Sequence, residues 1–258
     1  MRISLCIGAV SLAVVLGAPA LAQDAVPQDE HIVVEAPKNI WEGWKGNVAL
    51  GLNGASGNTE RFNLRGEVSG TRDTEHMTTT ASALYTYATD DGQKSENRAL
   101  LAARNDWKLG DSPWMVFAEG SIEYDEFKDW DWRVAGAGGV GYAFIRNDRT
   151  TLIGRAGLGL SREIGGTDNT IRPEGLLGLD LSHQLTERQL LTASTTIYPD
   201  LDETGEYRAV SNAAWEIMID PEVNMSLRLG IEDRYDSTPG SGFKKNDFAY
   251  FAMLVWEF

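Results

Sequence analysis

The sequence has few of the residues that build disulfide scaffolds and metal sites. Among 258 residues there is one cysteine, Cys6, and no two of the three histidines lie within five positions of each other. A disulfide framework needs paired cysteines, and a zinc site needs clustered cysteine or histidine ligands. We therefore expect no disulfide, no metal site and no cofactor.

Positive charge is also scarce. Lys and Arg together number 23 against 38 Asp and Glu, which gives a formal net charge of −15. Binding to nucleic acid needs a Lys/Arg excess on at least one face, so no nucleic-acid partner is expected. With 42% hydrophobic and 9% aromatic residues, the chain is too apolar for a disordered protein.

Long apolar runs are confined to the N-terminus. A basic residue at position 2 precedes the apolar run 3–15, and Ala20-Leu21-Ala22 supplies the small residues of a cleavage site. Residues 1–22 are therefore predicted to be a secretory signal peptide, because Gly, Ser and Pro dilute the run too much for a membrane helix. The polar residues 23–43 are expected to form a periplasmic N-terminal tail.

From residue 44 onward, apolar and polar residues alternate, which is typical of strands with one apolar and one polar face. In one stretch the apolar face is Val223, Met225, Leu227, Leu229 and Ile231. Turn-forming segments divide residues 44–258 into about twelve such strands. Each pass has about eighteen residues, enough for a tilted membrane-crossing strand and a turn.

Two architectures use strands of this kind, a soluble sandwich and a transmembrane barrel. Here Arg and Glu recur in mid-strand on the polar faces, and the apolar faces often carry Ala and Gly, which would pack a sandwich core poorly. The sequence therefore predicts an all-β fold, a transmembrane antiparallel up-and-down β-barrel of about twelve strands over residues 44–258. We expect a monomer in the bacterial outer membrane.

Aromatic residues near the strand ends match the two aromatic girdles of such barrels. The predicted girdles are Trp44, Trp107, Tyr142, Phe144 and Trp256 at one rim, and Tyr85, Tyr87, Tyr124, Trp130, Trp132, Tyr207 and Tyr235 at the other. An even number of strands places both termini on one side, which is expected to be the periplasm. The final Trp256-Glu257-Phe258 resembles the signal read by the barrel-assembly machinery. The expected partners are that machinery, through Phe258, and outer-membrane lipid and lipopolysaccharide.

Several short motifs occur together in one order along the chain. They are Ser56-Gly57-Asn58-Thr59-Glu60, Tyr124-Asp125-Glu126-Phe127, Gly138-Gly139-Val140-Gly141-Tyr142 and Tyr235-Asp236-Ser237-Thr238-Pro239. Over nearly all of residues 41–258 the sequence resembles the salt-induced outer-membrane protein family, also called YdiY-like, a domain of unknown function. The resemblance implies an outer-membrane location and a link to salt stress, and it supplies no catalytic residues and no settled substrate.

Two features could indicate an enzyme. Residues 136–141 match the G-x-G-x-x-G dinucleotide fingerprint, but they lie in an alternating strand with no following helix, so sheet curvature is the better interpretation. His76 and His183 could act as general bases, yet neither has a visible nucleophile partner along its own strand. We predict no enzymatic activity and no catalytic residue, and cross-strand pairs stay open.

The polar faces supply the functional candidates, because in a barrel they line the lumen. The predicted pore-lining residues are Lys45, Arg61, Arg65, Glu67, Arg98, Arg104, Glu119, Glu123, Arg133, Arg155, Glu174, Arg208, Glu216, Arg228, Glu232 and Arg234. Small inward residues also favour an open lumen, namely Ala135, Ala137, Gly139, Gly141, Gly157 and Gly159. A narrow passive pore for small solutes or ions is predicted. The alternative is a non-conducting structural or envelope-stress barrel that acts through lipid or protein contacts.

Overall fold

The computed structural model describes residues 42–55, 60–166, 169–240 and 242–258. The predicted signal peptide and almost all of the predicted tail lie outside these residues. The twelve described strands are Trp44–Ala55 (β1), Arg61–Asp73 (β2), Met77–Asp90 (β3), Gln93–Lys108 (β4), Trp114–Asp125 (β5), Trp132–Arg146 (β6), Thr150–Ile164 (β7), Ile171–Thr186 (β8), Gln189–Pro199 (β9), Tyr207–Asp220 (β10), Met225–Asp236 (β11) and Asn246–Glu257 (β12).

The strands form one closed antiparallel barrel. Each strand pairs with the next along the chain, and β12 pairs with β1 to complete the circle. The predicted all-β barrel of twelve strands is confirmed. Among the described residues there is no helix with the length and hydropathy needed to cross a membrane.

The first and last strands begin and end at the same rim. The Gly46 amide donates to the Phe258 carbonyl, and the Phe258 amide donates to the Gly46 carbonyl, each at 2.9 Å. This rim, called the terminal end below, also carries the five short turns between β2 and β3, β4 and β5, β6 and β7, β8 and β9, and β10 and β11. The opposite rim, the loop end, carries the other six connections.

The exterior of the barrel is apolar and accessible. Alternation along the strands turns Val68, Leu158 and Tyr250 outward, and they are 50%, 68% and 81% exposed. Met253 and Val255 point inward and are almost completely buried. A soluble sandwich buries its apolar faces, so this inverted distribution fits a barrel surrounded by lipid.

Outward-facing aromatic rings contact one another near both rims. Near the terminal end the rings of Trp114 and Tyr142 lie 4.8 Å apart. Near the loop end Tyr207 stacks on Tyr235 with 5.2 Å between ring centres. The arrangement has the form of two girdles. Tyr142, Tyr207 and Tyr235 belong to the predicted girdles, and Trp114 is an additional member.

Strands β6 and β7 approach each other very closely where the glycine-rich motif lies. Residues 136–141 belong to β6, so the strand interpretation of this motif is confirmed. A Cβ atom added to Gly139 would lie 2.2 Å from the Ala156 carbonyl oxygen and 2.5 Å from the Gly157 Cα. Only glycine fits at such a distance from the neighbouring backbone.

The closing seam between β1 and β12 has the shortest ladder among the described strand pairs. It has four residue pairs, from Asn47 with Glu257 to Leu50 with Leu254, whereas β1 and β2 share twelve. Both strands continue toward the loop end beyond this ladder. On the inner side of the seam Ala49, Met253 and Val255 form a small apolar core against Phe251.

Candidate functional site: the lumen of the barrel

A cavity of about 560 Å³ lies inside the barrel, with walls from β2 to β11. Loop residues Lys128, Pro239 and Phe243 line it at the loop end. It extends to Thr71 and Thr80, which are close to the terminal ends of β2 and β3. The cavity therefore approaches the terminal end along β2 and β3, whereas on β7, β10 and β11 its lining stops at Gly159, Asn212 and Arg234, well before the terminal ends of those strands.

All sixteen predicted pore-lining residues occupy inward-facing positions of the strands. Contacts between strands that are not neighbours, such as Arg98 of β4 with Glu232 of β11, fix which face is the interior. Eight of the sixteen line the cavity, namely Arg98, Arg104, Glu119, Glu123, Arg133, Glu174, Arg208 and Arg234. The other eight, outside the cavity lining, are Lys45, Arg61, Arg65, Glu67, Arg155, Glu216, Arg228 and Glu232. That any of them lines a conducting pore stays a prediction.

A network of ion pairs crosses the lumen toward the loop end. Arg98 donates to Glu123 at 2.6 Å and to Glu232 at 2.8 Å, and its side chain is almost fully buried. Arg65 reaches the same Glu232 at 2.6 Å, and Arg234 lies 3.2 Å from Glu123. These bonds connect β2, β4 and β5 with β11 on the far wall, so they divide the lumen and narrow it.

A second network lies nearer the middle of the barrel. Arg155 contacts Asp106 at 3.1 Å and also pairs with Asp180. Arg104 lies 3.3 Å from Asp106 and 3.5 Å from Asp180. Two arginines and two aspartates thus compensate one another, and the four side chains together carry no net charge.

Further pairs line the two ends of the lumen. Near the terminal end Arg228 bridges Glu216 at 2.9 Å and Glu67 at 3.1 Å. Toward the loop end Arg208 donates two hydrogen bonds to Glu174, at 2.9 and 2.7 Å. Its guanidinium also lies 4.0 Å from the centre of the Tyr198 ring, a cation–π contact that fixes its orientation.

The sector of small inward residues is only partly open, which corrects the expectation drawn from it. Ala135, Ala137 and Gly159 line the cavity. A Cβ on Gly141 would lie 2.7 Å from the Met115 side chain, and one on Gly157 would lie 3.0 Å from the Phe117 ring. Large side chains from β5 therefore occupy the space left by these glycines, and the sector is filled toward the terminal end.

Trp130 was predicted in the outer girdle, and this was wrong. The residue is 4% exposed and lines the cavity, with the Arg133 guanidinium 4.5 Å from its ring centre. It belongs to the loop between β5 and β6, where alternation no longer determines the direction of a side chain. Beside it, Lys128 pairs with Asp247 of β12 at 2.6 Å and holds this loop over the lumen.

Ion pairs on the outer surface of the loop end are well solvated. Glu126 accepts hydrogen bonds from Lys94 at 2.7 Å and from Asn97 at 2.5 Å. These bonds, that from Asn97 first, lower the pKa of the Glu126 carboxyl below its usual value. The carboxyl is therefore expected to remain charged in mildly acidic solution.

One contact that sequence reasoning missed joins β7 and β8 on the outer surface. The Thr150 hydroxyl lies 2.8 Å from His183 Nδ1. The two residues are directly opposite in the register between these strands, and no pattern along one strand could have revealed this. In the described ranges no group of three His, Cys, Asp or Glu side chains is placed to hold a metal ion.

A model of one protein family matches residues 48–258. The chain belongs to this family, which is described as protein of unknown function, DUF481. The match agrees with the resemblance to an uncharacterised family, whereas the salt-induced and YdiY-like description remains a prediction.

No curated protein matches the chain. Among solved structures, the NanC porin is similar with a TM-score of 0.49 and 11% identity, over 83% of this chain and 98% of the porin. An outer membrane channel from Pseudomonas putida F1 has a TM-score of 0.49 and 11% identity, over 83% of this chain and 95% of the channel. The translocator domain of the autotransporter NalP from Neisseria meningitidis has a TM-score of 0.45 and 14% identity, over 84% of this chain and 88% of the translocator domain.

Proposed function

We propose that this protein is an outer-membrane barrel that forms a narrow passive pore for small hydrophilic solutes or ions. The cavity that follows the barrel from the loop end to Thr71 and Thr80 carries this proposal. Its lining is largely polar and charged, and such a lining favours water and small solutes over apolar molecules.

The outer surface supports the membrane location. Apolar residues cover it between two zones of aromatic contacts, which is the pattern of barrels in the bacterial outer membrane. Phe258 lies at the rim where β1 begins, and we propose that it is read by the assembly machinery there. Because the assembly machinery would read Phe258 from the periplasm, the terminal end faces the periplasm and the loop end faces the cell exterior.

The ion pairs support a narrow bore. Twelve tilted strands enclose a backbone circle roughly 24 Å across. The network from Arg98 and Arg65 to Glu232 occupies part of that width at one level, and the Arg155 network occupies part of another. Solutes must pass beside these networks, so a small single-channel conductance is expected.

The same networks also favour the second candidate, a barrel that conducts nothing and acts through lipid or protein contacts. Arg234 and Glu123 lie on strands at opposite sides of the barrel and still form an ion pair. If these contacts close the lumen completely, the protein would be a structural or envelope-stress barrel. Its loss would then weaken cells under high salt without changing the uptake of solutes.

Planar-bilayer recording distinguishes the two candidates. The chain without its predicted signal peptide is refolded, and closure of the barrel is verified by the different gel mobility of boiled and unboiled samples. Discrete current steps in KCl are the expected result. Electrical silence from protein already verified as folded would contradict the pore and favour the structural barrel.

A further inference from the structure

The charges in the middle of the lumen do not balance. Arg104 and Arg155 face Asp106 and Asp180, and all four take part in ion pairs. Glu119 lies at the same part of the cavity and is a third carboxylate. Two positive charges thus meet three negative charges, which leaves one net negative charge at mid-height.

Glu119 differs from these four residues in the contacts of its carboxylate. It lies on β5, opposite Arg104 of β4 and Ala137 of β6 in the register. The Arg104 guanidinium turns away to Asp106 and Asp180, so its effect on Glu119 is through space alone. Within the described ranges, no ion-pair or hydrogen-bond partner contacts the Glu119 carboxylate.

The lining around Glu119 leaves room beside this carboxylate. Its neighbour across the β5–β6 ladder is Ala137, and Gly159 follows on β7. Both line the cavity, and neither has a side chain that could cover the carboxylate. On the β9 and β10 walls the lining includes the neutral polar residues Ser194, Thr196 and Asn212, and the one cation there, Arg208, is paired with Glu174. A partly hydrated ion therefore has space next to Glu119, with polar groups around it.

We infer that the pore prefers small cations over anions and that the unpaired Glu119 is the main determinant of this preference. The inference rests on the proposed pore function. The substrate class is small hydrophilic cations, such as alkali ions and ammonium compounds. An ion pair has little net charge to offer a passing ion, whereas an uncompensated carboxylate attracts cations and repels anions at the level where it lies.

The test is the reversal potential in a KCl gradient across a planar bilayer. Wild-type protein is expected to give a potential that indicates preference for K⁺ over Cl⁻. Glu119→Gln removes one charge with almost no change in shape. It is expected to lower the K⁺/Cl⁻ permeability ratio by about 25-fold, because a unit charge about 4 Å away at the dielectric constant of water favours K⁺ about fivefold and disfavours Cl⁻ about fivefold.

Two control variants separate charge from shape and position. Glu119→Asp keeps the charge and should retain most of the preference. Glu187→Gln removes a charge from the exposed turn between β8 and β9, outside the cavity lining, and should leave the ratio unchanged. All variants are first verified as closed barrels by gel mobility.

The outcomes are distinguishable. Absence of current from folded wild-type protein overturns the pore itself, and the inference with it. Current with anion preference overturns cation selectivity alone. Current with K⁺ preference that Glu119→Gln does not reduce overturns the role of Glu119.

Discussion

At the scale of single residues, Glu232 shows how one carboxylate connects distant walls of the barrel. It accepts hydrogen bonds from Arg65 of β2 at 2.6 Å and from Arg98 of β4 at 2.8 Å. Arg234 lies 3.7 Å away on its own strand. Glu232 is 6% exposed, so removing its charge would leave buried guanidinium groups poorly compensated.

Glu232→Gln is therefore expected to destabilise the barrel by about 3 kcal/mol, the usual cost of breaking a buried ion pair from one side. Unfolding by guanidinium chloride in lipid vesicles, followed by tryptophan fluorescence, would measure it. Glu75→Gln in the exposed turn between β2 and β3 is the control and should leave the midpoint unchanged. Equal stability of Glu232→Gln and wild-type protein would argue against a stabilising role for the network.

The sequence predicts the face of a lumen residue but not its partner. Because side chains alternate along a strand, all sixteen candidates could be placed on the inner face from pattern alone. The pairing of Arg98 with Glu232 depends on how strands β4 and β11 are staggered around the circle. That stagger is the sum of all registers between them, and no local pattern encodes it.

At the scale of strands, alternation and turn residues were sufficient to predict the number of strands and the breaks between them. They were insufficient where the chain leaves the sheet, as at Trp130, which turns into the lumen. They also gave no information on how far Phe117 and Met115 of β5 extend over the glycines of β6 and β7. Packing of this kind depends on the side-chain rotamers of β5 and on the local curvature of the sheet.

Gly139 provides a test of the close approach between β6 and β7. Gly139→Ala would place a methyl group 2.2 Å from the Ala156 carbonyl oxygen, so the two strands would have to separate. We expect a loss of at least about 2 kcal/mol in stability, or failure of the barrel to close. The change in gel mobility with temperature would report both.

Gly66→Ala is the matched control on β2. A Cβ atom there would meet no atom within 4 Å, because the site is open. This variant should fold with stability close to that of wild-type protein. If both alanine variants behaved alike, the tight contact at Gly139 would not limit the fold.

At the scale of the whole molecule, the loop between β5 and β6 contributes Lys128, Asp129 and Trp130 to the cavity lining at the loop end. Trp130→Ala removes the largest side chain of this loop from the cavity lining and should raise the single-channel conductance. Trp132→Ala is the control, since that residue lies on the outer surface with 46% of its area exposed. A conductance that responds equally to both changes would contradict the proposal that Trp130 narrows the pore.

Eleven of the ladders join strands that follow one another in the chain, and the twelfth joins the two strands farthest apart in sequence. The eleven can form as hairpins while the chain is still an open sheet, but β1 and β12 meet only when the sheet is complete. Until then both edges have unpaired amides and carbonyls, which the interior of a bilayer does not tolerate. With only four residue pairs to form, the final step from sheet to cylinder requires little additional ordering. Insertion and ring closure must therefore coincide during biogenesis. Until β12 pairs with it, the free edge of β1 has to be shielded from lipid.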